Sequence, residues 1–181
     1  MDTSIQAWFF ILVGFFTPFC MTPVILYSAT AMGITFCFHR LLSHRSFKAI
    51  GPIRYLVTLL GCLALQGGPI SWSATHRLHH AHSDQLSDPH SPRFSFLWAH
   101  LLWNFFQHPQ LKGEQDFRRL ALELYKDPGI VFFEKYFVPI NILFGLFLFG
   151  FGYWWGGWPI GLSVLVWGGF LRIVAVWHIT W

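Results

Sequence analysis

The chain has 181 residues, of which 54% are apolar, 20% aromatic and only 11% charged, against about 25% charged in an ordinary soluble domain. With a mean hydropathy of +0.47, that composition excludes a water-soluble fold and points to an integral membrane protein. The formal net charge of +4 reflects membrane topology rather than nucleic-acid binding.

The chain reads apolar, charged, apolar. A first apolar arm runs from Ile5 to Phe38, with Pro18 and Pro23 interrupting it. A spanning helix needs about 20 residues, so this arm holds two short or tilted spans, with one long kinked span as the alternative. The start, Met1-Asp2-Thr3-Ser4, has no positive side chain and no clear cleavage site, so removal of a signal peptide is not expected. Cys20, Cys37 and Cys62 lie far apart in apolar surroundings and read as small hydrophobes.

The middle section, residues 40–136, holds 11 of the 12 Lys and Arg residues, Arg172 being the exception, and all acidic residues but Asp2. Within it, Tyr55 to Thr75 carries no charge and mimics a further span. Gln66-Gly67-Gly68-Pro69 supplies a break, and the stretch is expected to enter and return rather than cross. Arg93 to Gln107, rich in Phe, Leu and Trp, reads as a helix lying in the interface or as a buried cytoplasmic helix.

A second apolar arm runs from Phe137 to Trp177, interrupted by the Gly- and Trp-rich run Gly150 to Pro159. Neither interruption contains Lys or Arg, so both face away from the cytoplasm by the positive-inside rule. Arg172, alone in the last span, is expected to snorkel to the cytoplasmic headgroups. The expected architecture is all-α: a multi-pass membrane protein with four transmembrane helices and a helical cytoplasmic cap. Residues 1–181 form one domain, with 5–38 the first helix pair, 39–136 the metal-binding cap and 137–178 the second pair.

Nine of the ten histidines fall between positions 39 and 108. His39 and His44 close an H-x4-H pattern, about 140° apart on an α-helix; they would serve different metals, or the helix would end between them. His76, His79 and His80 form H-x2-H-H and share roughly one third of a helix circumference, so three imidazoles can face one site. Imidazole suits Fe, Zn, Cu and Ni alike, and the spacing names no metal.

His39-Arg40-Leu41-Leu42-Ser43-His44, Gln66-Gly67-Gly68-Pro69-Ile70-Ser71-Trp72, His76-Arg77-Leu78-His79-His80-Ala81-His82-Ser83-Asp84 and Asp88-Pro89-His90-Ser91-Pro92 resemble the membrane-bound fatty acyl desaturases, the Δ9 or stearoyl-type branch in particular. The resemblance runs from about Gly33 to Trp181. It implies two non-haem Fe ions held by His39, His44, His76, His79 and His80, with O2 and two electrons used to place a cis double bond in a long acyl chain. Asp84, Asp88 and His90 are expected behind the ligands, and Trp72 and Gln66 beside a substrate tunnel. The implied partners are a long-chain acyl lipid or acyl-CoA, the bilayer, and a separate electron donor of cytochrome b5 or ferredoxin type, since His108-Pro109 is not followed by Gly-Gly and no cysteine cluster exists.

Two departures stand out. The family pattern continues past Trp181 through an Asn-Ser segment to a further histidine and a third H-x2-H-H, so the chain is expected to be a C-terminally truncated member with little or no activity by itself. His82, His90, His100 and His108 are possible substitute ligands, though each reads as local, His90 as a residue behind the ligands or in a turn, and His178 is not expected to ligate. The family's animal acyl-CoA members carry an Arg-Asp pair where this chain has Ala74-Thr75. That weakens a CoA phosphate contact and raises the case for an acyl lipid, even though Lys48, Arg54, Arg93 and Lys112 could meet a phosphate. The competing functions are a membrane di-iron hydroxylase or monooxygenase, an inactive remnant and, last, a haem- or quinone-associated subunit.

Overall fold

Apolar sequence and glycine placement divide the chain into helices. The computed structural model describes residues 18–178 without 84 and 107, and side chains from Thr22 onward. The described residues are helices, turns and loops. Helix α1 (Pro18–Met32) runs through Pro23, so that proline does not interrupt the arm as expected. The proposed earlier partner span falls on residues 1–17, outside the described residues. Without a break α1 continues as a π-helix over Gly33–Ser43. Thr22–Ser43, 22 residues, is long and apolar enough to cross a membrane.

Helix α2 (Gly51–Cys62) opens on Pro52 in its first turn, where a missing N–H costs nothing. At 12 residues it is about 18 Å long, too short to span. The chain turns back through residues 63–68, where Leu65 and Gly67 take positive φ (57° and 104°). Helix α3 (Pro69–His82) then leads back to the end of the π-helix. The Tyr55–Thr75 stretch is therefore two short helices folded back at residues 63–68 rather than one continuous span.

The expected single helix over 93–107 is two short pieces, α4 (Phe96–His100) and a 3-10 turn (Leu102–Phe105). The break comes at Leu101, where φ −132° and ψ −54° leave the helical region. Phe94, Phe96, Leu97, Phe105 and Phe106 are exposed, while Ala99 is buried, which favours the interfacial reading over the buried one. Helices α5 (Glu114–Ala121) and α6 (Pro128–Lys135) pack on α3.

Helix α7 (Phe137–Val164) is one apolar run folded in two. Gly156 and Gly157 leave helical geometry, the latter at φ 71°, a region glycine enters without steric penalty. The arms then lie side by side: a Cβ on Gly152 would sit 2.8 Å from the Ile160 carbonyl, and Leu148 faces Gly168. A second π-helix (Leu165–Leu171) and α8 (Arg172–His178) complete the returning arm. At 1.5 Å per residue, residues 137–155 and 158–178 extend about 28 and 31 Å.

The core lies where α2, α3 and the first π-helix meet, around Ile34, Phe38, Leu42, Cys62, Ile70 and Leu78. Gly33 packs directly on the backbone of Leu60 and Gly61. Arg172 does not reach the headgroups; it is 3% exposed, donating Nε to the Gly168 carbonyl at 2.7 Å and Nη1 to the Leu63 carbonyl at 2.8 Å. The Leu63 carbonyl of the α2–α3 turn takes the guanidinium that was expected at the headgroups.

Candidate metal centre

The π-helix brings His39 and His44 together. Its i→i+5 bond, His44 N–H to the His39 carbonyl at 3.0 Å, closes a wider turn than an α-helix and stacks residues five apart. Their ring centroids are 4.6 Å apart. The helix does end between them, at Ser43 with His44 as its C-cap, and the two rings fall in one group rather than facing separate metals.

On α3, His76 and His80 are one turn apart and meet that pair. His76 Nε2 lies 3.1 Å from His44 Nε2 and 3.0 Å from His80 Nε2. One donor nitrogen from each of His39, His44, His76 and His80 falls within 4.8 Å of all the others. Trp72 stacks on His76 at 4.8 Å, and its indole N–H donates to Gln66 Oε1 at 3.1 Å.

His79 does not join this group. It belongs to a second one with Asp88 and His90, also within 4.8 Å. The Asp88 carboxylate, 1% exposed, takes the His79 Nδ1–H at 2.9 Å and the His90 backbone N–H at 3.1 Å. A carboxylate on Nδ1 leaves Nε2 as the lone-pair nitrogen and fixes the ring. His90 stacks on His79 at 4.2 Å, closer to the centre than a turn residue needs to be. Asp84 lies outside the described residues. His82, His100 and His108 belong to neither group among the described residues; His82 Nδ1 meets the Leu78 carbonyl and His108 Nδ1 accepts from Gln110 N–H.

Burial, then the neighbouring His39, His80, His44 and His79, pushes the His76 imidazole down to about 3. His80 is lowered too, by burial first and then by His44 and His79. Neutral imidazoles are the ligating form. Three ring nitrogens crowded at hydrogen-bond distance, in a place that disfavours protons, suit a divalent cation accepting their lone pairs. The donor set therefore fits a histidine-held metal.

A cavity of about 200 Å³ adjoins both groups, lined by Ile34, Thr35, His39, Gln66, Trp72 and Trp103 among others. A neighbouring hollow of about 190 Å³ shares Gln66, Trp72 and Thr75. Two residues that shape the site carried no recognisable sequence signal of their role. Arg77 ties α3 to the end of the π-helix, and Glu134 of α6 accepts the Ile70 and Ser71 N–H groups at 2.7 and 3.2 Å. Glu134 thereby caps a helix whose N-cap, Gly68, has no side chain to do so.

Residues 7–181 match the family model described as fatty acid desaturase. The sn-1 stearoyl-lipid 9-desaturase of Anabaena variabilis is 43% identical over 159 residues, covering 87% of this chain and 54% of that protein. The sn-2 palmitoyl-lipid 9-desaturase of Nostoc sp. (strain 36) is 40% identical over 152 residues, 83% and 50% respectively. Delta-9 acyl-lipid desaturase 1 of Arabidopsis thaliana is 38% identical over 168 residues, 92% and 52%. The chain thus spans about half the length of the curated relatives it matches.

Proposed function

The chain belongs to the fatty acid desaturase family, and from that premise we propose that it supplies two histidine segments of a centre that places a cis double bond, at the Δ9 position, in a long acyl chain of a membrane lipid. The observation that carries this reading is the meeting of His39 and His44 with His76 and His80 beside an apolar-walled cavity. His39, His44, His76 and His80 would hold one iron; His79, with His90 beside it and Asp88 behind it, would serve the second. Iron held by these nitrogen donors would supply the O2-dependent removal of one hydrogen from each of two adjacent carbons, the four electrons that take O2 to two waters coming two from the acyl chain and two from a separate cytochrome b5 or ferredoxin type donor.

The chain's own residues bind, orient and exclude. Asp88 holds the proton on His79 Nδ1 and so fixes which nitrogen faces the centre. Burial keeps His76 unprotonated. The Trp72 indole, pinned to Gln66, forms a wall over His76 against which an acyl chain can lie while water is kept out. Ala74 is fully buried, and Thr75 donates its hydroxyl to the Ser71 carbonyl. Neither offers a charge to a CoA phosphate, which supports an acyl-lipid substrate, as do the names of the relatives.

The apolar arms support a membrane setting for this centre. Thr22–Ser43 and the two arms of the 137–178 hairpin would cross the bilayer, each being long and apolar enough to do so. The Lys and Arg residues between 40 and 135 keep the histidines on the cytoplasmic side.

The test is expression of the reading frame encoding this chain, with whatever it encodes beyond residue 181, in a host that makes only saturated acyl chains. Monounsaturated lipid acyl chains that disappear with His76→Ala are expected. Hydroxylated chains would instead assign a monooxygenase, and unchanged saturated lipids with iron bound would end the desaturase reading.

A further inference from the structure

The four-histidine group is assembled from segments 32 residues apart, and some contact must hold their separation. The His44 end is not self-supporting. His44 is exposed, and the next residue, Arg45, has φ 54°, a left-handed conformation that a non-glycine residue holds only when its surroundings enforce it. The last carbonyls of the π-helix also lack partners within that helix.

Arg77, between the histidines of α3, supplies what is missing. Its Nη2 lies 2.8 Å from the Leu42 carbonyl and 3.0 Å from that of Ser43, and its Nε lies 3.1 Å from the Ser43 carbonyl. Its Nη1 donates to the Leu120 carbonyl on α5 at 2.6 Å. Glu123 locks the head of the side chain, Oε1 standing 2.6 Å from Nη2, and also faces Arg45 at 3.7 Å. Only a planar fork of five donors can serve three carbonyls on two elements together. Leu42 and Ser43 immediately precede His44, and Arg77 immediately follows His76.

We propose that Arg77 is a positioning residue for the four-histidine group: its guanidinium joins the end of the π-helix to α3 and sets the spacing of His44 from His76 and His80. This rests on the reading of that group as a metal site. Lysine keeps the charge at this position, but its compact ammonium cannot span carbonyls on two elements as the planar fork does, so it loosens the spacing without unfolding the core.

The experiment titrates cobalt(II), as a spectroscopic stand-in, into the metal-free protein in detergent, for wild type, Arg77→Lys and Glu123→Ala, with thermal unfolding followed in parallel. Wild type is expected to bind cobalt with a ligand-field spectrum of nitrogen donors. Arg77→Lys should bind about 10- to 100-fold more weakly, the range for losing an outer contact of a metal site, and should show a changed band even at saturation. A variant that is merely less stable would reproduce the wild-type band once loaded. Glu123→Ala leaves the fork but frees its head, and should weaken binding in the same sense by less; it decides the matter if Arg77→Lys does not fold. Wild-type affinity and band in Arg77→Lys, or in Glu123→Ala when that variant has to decide, overturns the proposal. No cobalt bound by wild type overturns the metal-site reading itself, and this proposal with it.

Discussion

His76 and His79 are three residues apart on α3, yet their ring centroids stand 6.1 Å apart and they serve different groups. His76 turns to the π-helix, His79 to Asp88 and His90. Removing His44 or His76 should therefore release the same metal, and removing His79 a different one. Iron per chain is the measurement. His44→Ala and His76→Ala should each lower it by about one, and the double variant by no more than either single, since residues of one site are not additive. His76→Ala with His79→Ala should lose both. Additive loss from His44 and His76 would deny them a common site.

The π-helix that aligns His39 and His44 is braced at Gly33. A Cβ there would run into the backbone of Leu60 and Gly61, which cannot yield as a side chain does. Gly33→Ala should cost about 3 kcal/mol, the upper end for overpacking, and disturb His39 with it. Gly150→Ala, whose Cβ meets nothing within 4 Å, should be neutral or stabilising by about 0.5–1 kcal/mol. Denaturation in detergent compares the two. Equal effects would show that the helix crossing at Gly33 tolerates a methyl group.

Hydropathy, glycine runs and histidine spacing make the outline of this fold legible. The charge-free stretch that folds back at 63–68 and the hairpin turn at Gly156–Gly157 both follow from glycine between apolar runs. The π-helix is not legible, because a period of 3.6 is the default for any apolar helix and the wider turn is imposed by packing on α2. Arg77 and Glu134 are equally hidden, since each acts on backbone carbonyls or N–H groups of a distant segment, and sequence spacing carries no trace of that. The second group is half legible: Asp88 and His90 stand out beside the second histidine box, but their assembly around His79 alone depends on the loop after α3.

Glu134 supplies the acceptor that α3 lacks at its start. Glu134→Ala should destabilise the protein by about 1–2 kcal/mol, the range for loss of a helix cap. A Cβ at Gly68 would displace the same carboxylate, so Gly68→Ala should act largely through the cap. The double variant should then lose less than the sum of the singles in thermal unfolding. Full additivity would separate the two residues.

Acid should weaken the metal-free protein before its carboxylates protonate. His76 is pushed down to about 3 from the ordinary 6.5 by burial and its histidine neighbours, and His80 is lowered in the same direction. Between about pH 3 and 6.5 the unfolded chain therefore binds more protons than the folded one, so stability rises with pH across that window and falls on acidification. Burial, the largest single influence on Glu123, opposes its ionisation, but the hydrogen bonds from Arg77 and the backbone together with the Arg77 and Arg45 charges outweigh it and hold the carboxyl below 4.5, so its loss comes later. The melting temperature should be flat above pH 7 and drop between pH 6.5 and 5. A drop confined below pH 4.5 would assign the effect to carboxylates.

Three side chains of the second apolar arm take three consecutive carbonyls of the turn that carries Gln66 toward Trp72. Asn141 Nδ2 donates to Cys62 at 3.1 Å, Arg172 Nη1 to Leu63 at 2.8 Å and Trp177 Nε1 to Ala64 at 3.1 Å. Arg172 is buried on carbonyls, with the Phe144 ring 5.9 Å away. Its substitutions should therefore rank in an unusual order. Arg172→Met removes the charge together with its desolvation cost and leaves the Leu63 carbonyl unpaired, about 1–3 kcal/mol. Arg172→Lys keeps a buried charge with fewer well-placed donors and should be worse than Met. Trp177→Phe loses one neutral bond, about 1 kcal/mol. Thermal unfolding in detergent gives the ranking. A side chain reaching the headgroups would make Lys equivalent to Arg, so a wild-type melting temperature for Arg172→Lys would refute the carbonyl clamp.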